Sequence, residues 1–147
     1  MMKKFFIGLG VVFLLIILVF IVIGGFGYFK AKKAMPAAEN FVETFYEHYN
    51  NKNVAYIYNT LSHDKLRQAI KFQAFEEFLK GTVDKLGPVK SKEKGLWRLS
   101  SAPDGTYMTI QYKAYRQDSE SVDTVILIQN DDSWLLAGYN VNSKDLF

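Results

Sequence analysis

Charged positions are missing from one long stretch of the chain and interleaved regularly through the rest, and the two patterns predict different surroundings. No residue from Phe5 to Phe29 is charged. As a helix this run extends roughly 37 Å, against about 30 Å for the hydrocarbon core of a bilayer. A core helix of a globular domain would show polar residues at every turn, and this run does not. The pattern therefore predicts a transmembrane helix over residues 5–29, preceded by a short stub at 1–4 and followed by a basic juxtamembrane linker at 30–35. A cleaved signal peptide is the alternative, since Gly25-Phe26-Gly27 offers small residues at cleavage-like spacing. Its apolar core is usually only about 7–15 residues, which favours an uncleaved signal anchor.

Beyond Pro36 the period becomes helical. Proline is tolerated in a first turn, so Pro36 is read as the start of a new helix or a bend after the anchor. Phe41, Val42, Phe45 and Tyr49 recur at three- and four-residue steps, with Glu39, Glu43 and Glu47 opposite. Asn53 is a candidate cap for a short helix through Ala55, Tyr56, Tyr58 and Leu61, and Ser62 for a third turn through Leu66 and Ala69. Phe72, Phe75, Phe78, Leu79 and Leu86 form a further stripe, stopped by Gly87-Pro88.

After Pro88 the period falls to two. Extended segments are expected near 89–99, 106–115, 122–129 and 134–141, joined by polar turns at Pro103-Asp104-Gly105 and Asn130-Asp131-Asp132-Ser133. Short connections favour an antiparallel meander, and helices followed by strands predict an α+β domain over residues 36–147. Strict alternation groups Met108, Ile110, Tyr112 and Ala114 on one face. It likewise groups Val122, Thr124, Ile126 and Ile128 against Asp123, Val125, Leu127 and Gln129. On the last strand it sets Leu135, Ala137, Tyr139 and Val141 against Trp134, Leu136 and Gly138. On this reading the most apolar faces carry neither carboxylate nor histidine.

Charge changes the picture once. The formal charge of +3 and pI near 9.0 suggest a nucleic-acid partner. Lys3, Lys4, Lys30, Lys32 and Lys33 flank the apolar run, and without them 13 basic residues face 15 acidic ones. The basicity belongs to a membrane boundary, so no nucleic-acid partner is expected. Because these lysines lie on both sides, the positive-inside rule is nearly balanced, and a short stub favours export of the C-terminal domain. The chain has no cysteine, which excludes disulfides, thiolate metal sites and cysteine nucleophiles. No Gly-x-x-x-Gly pair occurs among the glycines of the apolar run.

Three helices ending at Leu86-Gly87, then four strands with Gly105-x-Tyr107 and Trp134-x-x-x-Gly138-Tyr139, resemble bacterial nuclear-transport-factor-2-like domains, over roughly residues 36–142. The resemblance is to small secreted or membrane-anchored members of unassigned function. It implies about three helices packed on a curved four-stranded antiparallel sheet in a cone. That fold houses isomerases, dehydratases and ligand binders, so it does not select an activity. The periplasmic domain of an inner-membrane scaffold subunit in type IV secretion machines has a similar organisation, although most of that subunit family is longer.

Isomerases of this fold use a carboxylate base with tyrosine as an oxyanion donor. Asp123, beside Val125 and Leu127, is the least implausible base here, but a solvated residue near a strand end is the preferred reading. No catalytic residue is therefore assigned. His48 and His63 lack helical spacing and a third ligand, so no metal and no cofactor are expected. His48 falls where an imidazolium complements a helix dipole. Ser62-His63-Asp64 holds the residue types of a hydrolytic triad without its geometry. Lys90, Lys92 and Lys94 share a strand face and read as solvated edge lysines. Among the abundant tyrosines, most of them read as core filling, Tyr58 and Tyr112 are chosen as ligand-binding candidates.

Together these readings predict a noncatalytic, single-pass protein of the bacterial cytoplasmic membrane with an extracytoplasmic domain. Its partners would be the lipid bilayer and an envelope protein or a homo-oligomer. A membrane-tethered pocket protein binding, isomerising or hydrating a small hydrophobic ligand is the alternative.

Overall fold

The computed structural model describes residues 28–146, with side chains from residue 34 onward. The predicted membrane run therefore lies outside the described residues, apart from Tyr28 and Phe29. Among the described residues no helix is long and apolar enough to cross a membrane. Helix α1 spans Tyr28–Asn50, covering the basic linker and running through Pro36. Pro36 is thus neither the start of this helix nor a break in it. A proline inside a helix removes one backbone hydrogen bond, and the downstream apolar face supplies packing that offsets the loss. Ala38, Val42, Phe45, Tyr46 and Tyr49 on that face are all buried.

A short helix α2, Val54–Tyr56, passes into a π turn at Ile57–Leu61, followed by α3 at Asp64–Ala69 and α4 at Phe72–Leu86. Asn53 precedes α2 without a side-chain cap. The cap of α3 is not Ser62 but His63, whose Nδ1 accepts the Lys65 N–H at 3.1 Å. Gly87 ends α4 at φ +86° and ψ 168°, with its N–H on the Val83 carbonyl at 2.8 Å. That backbone region is essentially reserved for glycine. Nothing lies within 4 Å of a Cβ placed there. Gly87→Ala is therefore expected to cost about 1–3 kcal/mol through conformation alone. The check is a urea midpoint that falls while the slope stays fixed, and an unchanged midpoint would refute it.

Four strands follow, β1 (Ser91–Ala102), β2 (Gly105–Tyr115), β3 (Glu120–Asn130) and β4 (Ser133–Asn142). They form one antiparallel sheet in the order β1-β2-β3-β4, as the meander pattern predicts. The main core lies between the helices and one sheet face, joining Phe45, Phe75, Phe78 and Leu79 to Met108, Ile110, Val125 and Leu127. A smaller cluster of Tyr107, Ile126, Ile128 and Ala137 sits on the other face.

The β3 alternation holds, while the choice of its inward face and the β4 alternation are corrected by the sheet. In β3 the helix-facing set is Asp123, Val125 and Leu127, so an apolar inward face does carry a carboxylate. In β4 the register shifts opposite Ile126 and Leu127, leaving Ala137 as the extra residue. A bulge reverses the phase of every side chain beyond it. Trp134 and Leu136 before the bulge, and Tyr139 and Val141 after it, therefore all face the main core.

Candidate functional site

Asp123 lies at the centre of the most concentrated polar chemistry in the domain, with no exposed surface. Residues two apart on a strand share a face, so Ser121 stands beside it and donates from Oγ to Oδ1 at 2.7 Å. Tyr46, presented inward by α1, donates its hydroxyl to Oδ2 at 2.6 Å. Tyr139, turned inward by the β4 bulge, donates to the same oxygen at 2.7 Å. The expectation of a solvated Asp123 near a strand end is overturned, because side chains from α1, β3 and β4 replace its water.

Arg116 neutralises the carboxylate. It follows β2 in the turn to β3, where its N–H is held by the Ser119 carbonyl at 2.9 Å. Its guanidinium points back into the protein, with Nη2 at 3.4 Å from Asp123 Oδ2. Nε donates to Ser121 Oγ at 3.2 Å, and Nη1 to the Gly87 carbonyl at 2.6 Å and the Tyr49 hydroxyl at 3.0 Å. The planar fork of arginine suits such divided contacts.

Burial pushes the Tyr46 and Tyr139 hydroxyls well above the ordinary tyrosine range, and the Asp123 charge pushes them further. Tyr49 is raised to about 12, chiefly by burial, with Arg116 opposing. All three remain protonated at neutral pH, Tyr46 and Tyr139 as donors to Asp123. Two phenols and the guanidinium converge on Oδ2 and the serine on Oδ1, so both oxygens of the enclosed carboxylate are engaged. A substrate proton could reach it only after these donors separated. The chemistry suited to this group is structural fixation.

A second feature lies where α1 crosses β1. Glu39 pairs with Lys94 at 2.6 Å and Glu43 pairs with Lys92, so two of these lysines are tied to the helix, Lys92 largely covered and Lys94 still exposed. The Lys92 ammonium also stands 5.5 and 5.8 Å from the ring centres of Tyr46 and Tyr112. Beside it Glu43, Tyr46, Glu47, Asn50, Lys90 and Lys92 line a groove of about 380 Å³.

Tyr58 and Tyr112 have separate surroundings. Tyr58 packs its ring on Phe72 and Phe75 and donates to the Ile70 carbonyl at 2.7 Å. Tyr112 faces Tyr46 and Lys92, and its buried hydroxyl has no hydrogen-bond partner. His48, in the last turn of α1, stacks on Tyr56 at 4.1 Å. Ser62 donates to the Ile57 carbonyl at 2.7 Å and Asp64 pairs with Arg67, so Ser62-His63-Asp64 is committed to local structure. Among the described residues no group of three His, Asp or Glu side chains could hold a metal ion.

A family model described as "Protein of unknown function (DUF4019)" matches residues 42–139, a span holding Tyr46, Tyr49, Arg116, Asp123 and Tyr139. Among solved structures the chain is similar to Bd1075 of Bdellovibrio bacteriovorus, at 12% identity and a TM-score of 0.47. That alignment covers 80% of this chain and 43% of the other, so this chain spans less than half of that protein. No curated protein matches.

Proposed function

We propose that this chain, which belongs to the DUF4019 family, is a single-pass membrane-anchored, noncatalytic module of the bacterial cell envelope. It works by binding another envelope protein or further copies of itself. We read its helices and sheet as the nuclear-transport-factor-2-like cone. Support for the anchor comes from the uncharged run of residues 5–29 between lysine clusters. The observation that carries the noncatalytic reading is Asp123. It is fully enclosed, and tyrosine, serine and arginine donors occupy its oxygens.

Gentle detergent extraction of the tagged full-length protein, followed by native mass determination, tests the proposal. A reproducible larger assembly supports it and identifies the partner. A bare monomer under every extraction condition counts against it. For the topology, a reporter fused after Phe147 should be active outside the cytoplasm, and activity confined to the cytoplasm would refute export.

The pocket reading keeps one observation in its favour, the buried and unpartnered Tyr112 hydroxyl. Removing a buried hydroxyl that makes no hydrogen bond is close to neutral or stabilising, by up to about 1 kcal/mol. Tyr112→Phe should therefore unfold at the same or a higher urea concentration than the parent. Tyr58→Phe loses its bond to Ile70 and should cost about 1 kcal/mol. A small hydrophobic molecule that co-purifies and binds less tightly to Tyr112→Phe would shift the assignment to a tethered binding protein.

A further inference from the structure

The two edges of the sheet are finished differently. Strand β4 is capped at mid-length, where Ser62 forms a parallel bridge to Leu136 and the His63 N–H donates to the Leu136 carbonyl at 2.8 Å. Strand β1 has a strand neighbour on one side only among the described residues. It runs for 12 residues and carries Leu96, 78% exposed, far more than any other large hydrophobic residue described. Natural edge strands are commonly protected by outward lysines. Here Lys92 and Lys94 are turned inward and tied to Glu43 and Glu39.

We propose that β1 is a homodimer interface, in which two copies pair their β1 edges antiparallel about a two-fold axis between Gly95 and Leu96. The inference rests on the assembly reading above and names its partner as a second copy of this chain. Charge complementarity selects that occupant. A two-fold at this point sets Glu93 opposite Arg98 of the second copy, and by symmetry the same pair forms twice. Both residues lie on one sheet face, because Glu93 is in register with Lys113 and Arg98 with Thr109 on β2. The bulge between Lys94 and Trp97 makes this so, since without its extra residue they would fall on opposite faces. The same symmetry sets Lys94 opposite Trp97 and Lys92 opposite Leu99, so no like charges meet. Leu96 sits at the centre, where two copies would cover it. The capped β4 edge closes the assembly at two copies and prevents an extending sheet. Tethering in one membrane raises the effective concentration, so a modest edge contact suffices.

The test uses the full-length chain in mild detergent, with mass measured against concentration. Glu93→Arg sets arginine against Arg98 of the second copy, and Arg98→Glu sets two acidic residues together. Each variant alone should raise the dimer dissociation constant about tenfold or more. An equimolar mixture of the two restores both attractive pairs and should recover a heterodimer of parental strength. Unchanged circular dichroism and urea midpoints separate this effect from misfolding. A parental chain that remains monomeric overturns the edge interface, and the assembly reading then depends on whether another envelope protein is retained. A dimer indifferent to both variants overturns the edge interface while leaving assembly intact. Weakening by both variants without recovery in the mixture overturns the two-fold register.

Discussion

Asp123→Ala should remove about 3–5 kcal/mol of stability. The change leaves the Arg116 charge and the hydroxyls of Tyr46, Tyr139 and Ser121 buried without their shared acceptor. Arg116 keeps its bonds to Gly87, Tyr49 and Ser121, but its charge is no longer balanced and the hydroxyls lose their acceptor, so water must enter or the helix–sheet seam must open. Tyr46→Phe and Tyr139→Phe each delete one hydrogen bond to a charged acceptor and should cost about 1.5–3 kcal/mol. Because both bonds end on the same oxygen, the double variant should depart from additivity. Urea denaturation of all four proteins gives the comparison. A loss below about 1 kcal/mol for Asp123→Ala would show the carboxylate to be solvated. Domains are commonly stable by only about 5–15 kcal/mol, so the predicted variant stands near the limit of folding.

Alkaline pH should unfold the domain steeply, beginning near pH 10. Tyr46, Tyr49 and Tyr139 have their folded pKa values raised, first by burial. In the unfolded chain they ionise near the ordinary value of about 10. Above that pH the unfolded state binds fewer protons than the folded state, so stability falls as pH rises. Each tyrosine removes about 1.4 kcal/mol per pH unit, and the three together about 4 kcal/mol. The contribution from Tyr49 stops growing near pH 12, its folded value. Below pH 10 none of the three contributes to a pH dependence. Urea midpoints between pH 8 and 11.5 provide the measurement, with tyrosinate absorbance followed in parallel. Phenols that titrate near pH 10 while the fold persists would contradict the enclosed arrangement. Tyr139→Phe should shallow the slope by about 1.4 kcal/mol per pH unit.

The order of elements was readable because the two periods are strong. The Phe72 to Leu86 stripe and its Gly87 stop predict α4, and the Asp104-Gly105 turn separates β1 from β2 as expected. The site was largely hidden, for two physical reasons. Alternation assumes an unbroken strand, and the extra residue Ala137 moves Tyr139 onto the face that bears Asp123. Aspartate is also rarely buried, so frequency favoured a solvated Asp123 over one held by remote donors. Ser121-x-Asp123 was the available local signal, since both side chains must share a face. Arg116 gave no comparable signal, because its inward course depends on the turn at Ser119 and on the Gly87 carbonyl. Tyr58 and Tyr112 have unrelated positions that alternation alone does not distinguish: one secures the α3–α4 junction and the other lies beneath Lys92.

The bond from Tyr46 to Asp123 joins residues 77 positions apart, and it has a kinetic consequence. Ribosomes add roughly 5–20 residues per second, so about 4–15 s separate the synthesis of its two ends. Throughout that interval the face of α1 bearing Phe45, Tyr46 and Tyr49 lacks β3 and β4, which carry Asp123 and Tyr139. Closing such distant contacts carries a large loop-entropy barrier before any packing rewards it, which makes for slow acquisition of structure. The nascent chain is consequently a stronger candidate for chaperone capture than the finished domain, and its vulnerable period ends only when β3 and β4 have been made.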